Sequence, residues 1–263
     1  MNRLLLFLVL AVQACRTGRD FSDAREPRYV AQPPANTGKA SDTVRIVSFN
    51  IAFSREIDRA TQVLQSQPAL KRADIVLLQE MDASGTKRIA TALGMGYVYY
   101  PAIFHLRAKQ EFGNAVLSRW PIVEDAKIQL PHGSRYAGTH GIATAATLRI
   151  GKANVRVYFT HLGTPADIGS SKRRDQLRAI IADASKYGRV VIGGDMNSGS
   201  VGSAAADAGF AWPTKAGPRT TKFGRWDHIY LRGFTVPVKG STGTIRANSG
   251  SSDHVPVWAI GIF

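Results

Sequence analysis

Short apolar segments recur along residues 43–263 and favour a fold built on β-sheets. Residues 43–51 are rich in Val, Ile and Phe and alternate with polar positions, as expected of a strand. Residues 74–78 form a nearly continuous apolar run, which is typical of a strand buried on both faces. Further strands are predicted over residues 97–100, 114–118, 122–130, 143–150, 155–160, 189–193, 226–231 and 255–260.

Helical patterns are fewer than strands. They cover residues 55–67, where Pro68 ends the pattern, and then residues 84–93, 171–187 and 203–208. This mixture predicts an α/β fold in which two mixed β-sheets pack face to face with helices outside. The chain contains a single cysteine, which excludes a disulfide scaffold and any zinc or iron–sulfur site built on cysteines.

The N-terminus has the organisation of an export signal. A basic start precedes an unbroken apolar run over residues 4–12, which is too short for the roughly 20 residues of a membrane span. Residues 1–14 are therefore predicted to be a signal peptide. Cys15 follows as in bacterial lipoprotein signals, although Gln13 departs from that pattern, and ordinary cleavage after Ala14 is the alternative. We expect an exported, lipid-anchored protein of the cell envelope, or otherwise a periplasmic or secreted one.

Charge is concentrated in the folded part of the chain. Residues 15–42 lack an apolar period, contain Pro33 and Pro34, and are predicted to form a flexible tether. Residues 43–263 form the predicted domain and contain 28 basic and 15 acidic residues, a net charge of +13. Such a surface favours an anionic partner: nucleic acid, a lipid phosphate surface or a phosphorylated small molecule.

Acidic, amide and imidazole residues stand at the ends of the predicted strands. A charged group beside a buried strand is costly unless it is paired or binds a metal. Because strand ends meet at a sheet edge, we expect these side chains to form one cleft, suited to a hard divalent cation and to proton transfer beside a phosphate. The residues are Asn50, Glu80, Asn114, His161, Asp195, Asn197, Asp227, Asp253 and His254.

Four short motifs occur in a recognisable order: Leu-Gln-Glu at 78–80, Thr-His-Leu at 160–162, Gly-Asp-Met-Asn at 194–197 and Ser-Asp-His at 252–254. In this order they resemble the endonuclease/exonuclease/phosphatase superfamily of deoxyribonuclease I-like, metal-dependent phosphoesterases, over all of residues 43–263. The resemblance implies a four-layer α/β/β/α sandwich with its site at one edge of the paired sheets. It also implies hydrolysis of a phosphoester by water.

The resemblance further implies a metal site. Glu80 matches the metal-binding glutamate of the superfamily, Asn50 the asparagine beside it, and Asp253 an aspartate close to the metal. The expected ion is Mg²⁺, with Mn²⁺ as a possible substitute, because a hard ion prefers one or two carboxylates with water and substrate oxygens.

Catalytic roles follow from the same resemblance. Asp195 and Asn197 match the residues that flank the attacking water and the scissile phosphate, and His254 matches the histidine at the reaction centre, oriented by Asp227. His161 matches a second histidine that donates to a phosphate oxygen. Asp195 is the first choice for the general base, and His254 is the alternative.

Substrate contacts are expected from Asn114, which supports the site, and from Lys222 and Arg225 in a basic segment before Asp227. Other candidate contacts are Arg107, Lys109, Lys172, Arg173, Arg174, Arg178, Lys215 and Arg219. The predicted substrate is DNA or RNA, and the alternative is a phospholipid headgroup or a small phosphorylated molecule. A non-catalytic anion-binding module is disfavoured by the number of carboxylates. We expect a monomer without an obligate protein partner.

Three other histidines are treated separately. His228 follows Asp227 and is predicted to be structural. His132 and His140 lie in a glycine-flanked segment and receive no assignment from the sequence.

Overall fold

The computed structural model describes residues 18–35, 41–106 and 108–263. The predicted signal peptide, Cys15 and Arg107 lie outside the described residues. The strands are β1 (Gly18–Asp20), β2 (Tyr29–Ala31), β3 (Thr43–Asn50), β4 (Ile75–Met81), β5 (Gly96–His105), β6 (Gln110–Ser118), β7 (Ile122–Gln129), β8 (Ile142–Ile150), β9 (Ala153–His161), β10 (Val190–Asp195), β11 (Asp227–Arg232), β12 (Thr242–Thr244) and β13 (Val257–Ile262).

The helices lie between these strands. They are α1 (Ile57–Ser66), α2 (Pro68–Lys71), α3 (Ala83–Leu93), α4 (Ser170–Ala184), α5 (Ser203–Asp207) and the 3₁₀ helix η1 (Pro213–Ala216). Pro68 ends the pattern of the first helix, as predicted, and begins the short helix α2, where its missing N–H costs nothing. Within the described ranges, no helix combines the length and apolar character needed to cross a bilayer.

Two mixed sheets form the centre of the fold. The first has the order β1-β5-β6-β4-β3-β13-β12, with β2 also paired to β5, and the second has the order β11-β10-β9-β8-β7. In β4, Ile75 and Leu77 belong to the apolar cluster between the sheets. Val76 and Leu78 belong to the cluster under helices α1 and α3. Both faces of β4 are therefore buried, which explains its continuous apolar run.

The second sheet is covered in the same way. Phe159 in β9 packs between the sheets, whereas the adjacent Tyr158 packs with Leu177 and Ile180 of α4 on the outer side. Ala204 and Ala205 of α5 join this outer cluster. The layers follow the order helix, sheet, sheet, helix, and the predicted four-layer α/β/β/α sandwich is confirmed.

The N-terminal segment differs from its prediction. A flexible tether was expected over residues 15–42, but β1 and β2 pair with β5 and extend the first sheet. Arg28 forms an ion pair with Asp125 (Nη2–Oδ2 2.6 Å), and the buried Lys127 Nζ donates to the backbone carbonyls of Phe21 and Glu26. The tether prediction therefore does not hold for residues 18–35. Strands of three residues are too short to show a period, and their partners are distant in sequence.

Candidate active site

The two sheets bring their polar strand ends to one edge. In the first sheet, Asn50 ends β3 and lies opposite Gln79, the residue before Glu80. In the second sheet, Asp195 ends β10 and is in register with His161 on β9 and with Asp227 on β11. The loop before β13 supplies His254. Strand register alone therefore places three of the predicted site residues side by side.

Glu80 is held in a fixed position by its backbone and its neighbours. It lies at a β-bulge between Gln79 and Met81, with a φ of 58°. This left-handed conformation is uncommon for a residue with a long side chain. The Asn50 Nδ2 group donates to Glu80 Oε1 (3.0 Å), and the Phe53 backbone N–H donates to Oε2 (3.1 Å). The bulge re-aims the carboxylate, and these two donors fix its orientation.

Five side chains form a continuous series in which acids and imidazoles alternate. His161 Nδ1 lies 3.8 Å from Glu80 Oε1, and His161 Nε2 lies 3.4 Å from Asp195 Oδ2. His254 Nε2 lies 3.6 Å from the same Asp195 oxygen, while His254 Nδ1 donates to Asp227 Oδ2 at 2.9 Å. The structure thus gathers residues from both sheets around Asp195. We refer to these five residues as the acid–imidazole series.

Burial and charge set the protonation states at the centre of the series. Burial raises the pKa of Asp195 to about 6, although the nearby His161 opposes this shift. Burial alone would lower the pKa of His254, but the carboxylates of Asp227 and Asp195 outweigh it and raise that pKa to about 9. At pH 7.5 most of Asp195 is therefore ionised, and His254 is protonated.

Two asparagines fix the backbone around the series. The buried Asn197 has a φ of 47°; its Nδ2 group donates to the Leu162 carbonyl, and its backbone N–H donates to Asp195 Oδ1 (2.7 Å). The buried Asn114 links the two sheets, because its Nδ2 group donates to the Ile142 carbonyl. Asn114 also lines a cavity that reaches His161. Its side chain therefore lies beside the series, and its predicted contact with substrate stays a prediction.

The other three predicted site residues, Asp253, Lys222 and Arg225, lie in loops beside the series. Asp253 is exposed, accepts a hydrogen bond from Ser252 Oγ, and lines a groove beside the series. Lys222 is exposed in the same groove. The Arg225 guanidinium donates to the backbone carbonyls of Gly217 and Lys215. Arg225 therefore braces its own loop, and its role as a substrate contact stays a prediction.

His228 has the structural role that the sequence predicted. Its ring is fully buried, Nδ1 accepts from Trp212 Nε1 (3.1 Å), and Nε2 donates to the Arg225 carbonyl (3.1 Å). Burial lowers the pKa of His228 to about 4, so the ring stays neutral at physiological pH. A neutral, fully bonded imidazole has no free proton acceptor for catalysis.

Sequence reasoning missed Thr220. Its Oγ1 accepts from the backbone N–H groups of Trp226 and Asp227, and its carbonyl accepts from Val255 N–H. This one residue joins the start of β11 to the segment that follows His254. A threonine in a loop of Gly, Pro, Lys and Arg has no distinguishing pattern, so nothing in the sequence indicated it.

The donor set at Glu80 fits a magnesium ion. Within the described ranges, no group of three or more His, Cys, Asp and Glu side chains converges as a protein cage for a metal. Mg²⁺ does not require such a cage, because it is held by one or two carboxylates together with water and phosphate oxygens. Glu80 supplies one carboxylate, and the buried His161 Nδ1 beside it has no hydrogen-bond partner. An ionic ligand with its own water shell fits these surroundings.

A four-layer sandwich with acids and imidazoles at one sheet edge defines a hydrolase of the phosphoesterase class. The chain belongs to the endonuclease/exonuclease/phosphatase family, whose model matches residues 47–254. No curated protein sequence matches the chain.

Solved structures support the same fold. D. rerio TDP2 complexed with a single-strand DNA product is 17% identical, and the match covers 85% of this chain and 100% of that one, with a TM-score of 0.65. The human Nocturnin catalytic domain with bound sulfate is 16% identical (90% and 97% covered, TM-score 0.63). Sphingomyelinase C from Streptomyces griseocarneus is 18% identical (84% and 99% covered, TM-score 0.62). At these identities the similarity shows the fold and not the substrate.

The pKa of His254 can be measured directly. In the metal-free protein, its ring ¹⁵N signals should titrate near pH 9, whereas His228 should stay neutral above pH 5. Because the folded pKa of His254 exceeds the unfolded value of about 6.5, the pair with Asp227 stabilises the fold fully below about pH 6.5. That contribution is lost as the pH rises through about 9.

The signal is assigned with His254→Gln, which should remove the high-pH titration and leave the His228 signal unchanged. A midpoint for His254 near 6.5 would show that the Asp227 carboxylate does not hold the proton on this ring.

Proposed function

We propose that this protein is a metal-dependent phosphodiester hydrolase that acts on DNA or RNA. The observation that supports the proposal is the acid–imidazole series, which places an ionised, buried Asp195 in contact with a protonated His254. One group accepts a proton, and the other donates hydrogen bonds to developing negative charge. A domain that only bound anions would have no use for three carboxylates at its binding site.

Asp195 is the residue best suited to activate water. Its Oδ1 accepts from Asn197 N–H, so Oδ2, which faces both imidazoles, is the oxygen left to take a proton. As Oδ2 takes that proton, the water oxygen forms its bond to phosphorus and the bond from phosphorus to the leaving oxygen breaks. The leaving oxygen then takes up a proton from solvent, and Asp195 releases its proton to solvent. His254 and His161 would donate to non-bridging phosphate oxygens.

Glu80 would hold the metal ion, with Asn50 and the Phe53 N–H fixing the carboxylate. When bound, Mg²⁺ would neutralise charge on the phosphate and on the leaving oxygen, and Mn²⁺ would substitute for it. Asp253 is exposed and separate from Glu80's hydrogen-bond partners, so its negative charge would act mainly on His254, whose pKa it helps to raise.

The basic surface supports a polyanionic substrate. Residues 43–263 have a net charge of +13, and the groove beside the series is lined by Arg219, Lys222 and Arg246. Each phosphate bound by such groups releases counterions, so binding of nucleic acid should weaken steeply with salt.

The substrate class is tested with purified protein in Mg²⁺ or in EDTA. We expect cleavage of plasmid DNA or RNA and of a chromogenic phosphodiester in Mg²⁺, and loss of both activities in EDTA. Sphingomyelin is assayed in parallel. Cleavage of sphingomyelin without cleavage of nucleic acid would replace the proposed substrate by a phospholipid headgroup.

Variants test the assigned roles. Asp195→Asn should lower kcat by about 10²- to 10⁴-fold, the contribution of a general base. His254→Ala should lower kcat by about 10²- to 10³-fold, the contribution of a charged donor to developing negative charge. Glu80→Gln should mainly raise the Mg²⁺ concentration needed for half-maximal activity. His132→Ala is a matched control, because His132 forms an Asp–His pair with Asp175 outside the series. A near-normal rate for Asp195→Asn would remove Asp195 from the proton transfer.

We also propose that the protein is exported and lipid-anchored at Cys15, and that it works as a monomer. In the native host, Cys15→Ser should move the protein from the membrane fraction to the soluble fraction, which immunoblotting of the fractions would show. The control is Ser41→Ala, at an exposed position of the mature chain. Release of the wild-type protein into the soluble fraction would favour ordinary signal cleavage.

A further inference from the structure

The loop before β11 exposes an aromatic pair beside the site. The Phe223 ring stacks on Trp226, with centroids 5.5 Å apart and an interplanar angle of 14°, and Phe223 is 66% exposed. Lys222 Nζ lies 4.9 Å from the Phe223 ring centroid. Most of the Phe223 side chain remains in water although its ring stacks on Trp226. The exposed ring can therefore stack against a flat group of a ligand.

The pair is fixed before any ligand arrives. The N–H groups of Phe223 and Gly224 both donate to Thr221 Oγ1 (3.0 Å each), and the Gly224 carbonyl accepts from Thr220 and Thr221. A Cβ at position 224 would lie 2.7 Å from Trp226 Nε1, so only glycine allows this close approach. The stacked pair therefore needs little ordering on binding.

The aromatic pair is directly connected to the reaction centre. Asp227 follows Trp226, and Thr220 Oγ1 accepts from the backbone N–H groups of both residues. Asp227 in turn binds His254. A group stacked on Phe223 would therefore lie on the loop that leads into the acid–imidazole series.

A groove lined by cations adjoins the aromatic pair through Lys222. The groove of about 550 Å³ beside it is lined by Arg219, Lys222 and Arg246, together with the carboxylate of Asp253 near His254. Aromatic faces with cations along a groove are the recognition mode for single-stranded nucleic acid, in which bases stack and phosphates pair with Lys and Arg. A membrane surface would need contiguous apolar area, whereas Val255 and Pro218 are the only apolar residues among those that line this groove in the described chain.

We infer that Phe223 and Trp226 form a stacking platform for an unpaired nucleobase, and that the enzyme prefers single-stranded nucleic acid. The inference rests on the proposed function and specifies its substrate. A base in a duplex already stacks on its neighbours and presents no free face, so the platform favours unpaired strands.

The experiment measures binding by fluorescence anisotropy with the full-length protein in EDTA, so that no hydrolysis occurs. The probes are a labelled 12-mer of deoxythymidine and a 12-mer of abasic deoxyribose phosphates, which has the same charge and no bases. Phe223→Ala should weaken binding of the first probe about tenfold, from one lost base stack, and leave the second within twofold. Phe223→Trp should retain binding, and Arg246→Ala should weaken both probes.

Tyr136→Ala is the matched control, because Tyr136 is 65% exposed with Arg135 over its ring, as Phe223 is with Lys222. It should leave both probes unchanged. An equal effect of Phe223→Ala on the two probes, or none, would overturn the inference. Vesicles of anionic phospholipid are the third probe, and a loss of binding by Phe223→Ala that is confined to them would also overturn the inference, because it would identify a membrane contact. Hydrolysis of the chromogenic phosphodiester in Mg²⁺ tests the proposed function independently of these results.

Discussion

Three carboxylates in one largely buried site would repel one another, and the placement of two imidazoles between them makes the site possible. Glu80, Asp195 and Asp227 each lie against His161 or His254. The carboxylates of Asp227 and Asp195 stabilise the protonated ring of His254 and so raise its pKa. The positive charge of that ring in turn offsets the negative charge of the carboxylates. Asp195 keeps a raised pKa because burial outweighs its two histidine neighbours. The site therefore contains both a proton acceptor and a charged donor at neutral pH.

This charge arrangement depends on the register of the strands. Asp195 lies opposite His161 on a parallel neighbour and opposite Asp227 on an antiparallel one. A slip of one residue in β10 would turn Asp195 to the other face of the sheet and exchange the apolar side chains before it between the two packed faces. Burial of Val191 between the sheets and of Ile192 under α4 fixes that register. The packing of both sheet faces thus determines the geometry of the site.

The sequence predicted those elements whose own residues form a recognisable pattern. Buried strands show apolar runs, and strand ends with acids show where a site lies, so β3, β4, β9, β10 and the residues of the series were identifiable. It did not predict β1, β2 or β12, because a three-residue strand is defined by its partner. The sequence also does not distinguish an Arg or Lys side chain that faces a groove from one that binds the backbone of a loop. Arg225 and the buried Arg173, which donates to the Ile168 carbonyl, both bind the backbone.

The loop from η1 to β11 joins the proposed stacking platform to the acid–imidazole series through short-range contacts. His228 is held by Trp212 and in turn donates to the Arg225 carbonyl, while the Arg225 side chain binds the backbone at Lys215. Thr220 ties the same loop to Asp227, the residue that holds the proton on His254. A neutral His228 suits this role, since a protonated ring would repel Trp212 N–H. Because the pKa of His228 is lowered to about 4, the ring stays neutral and can accept from Trp212 Nε1 at any pH at which Asp195 is ionised.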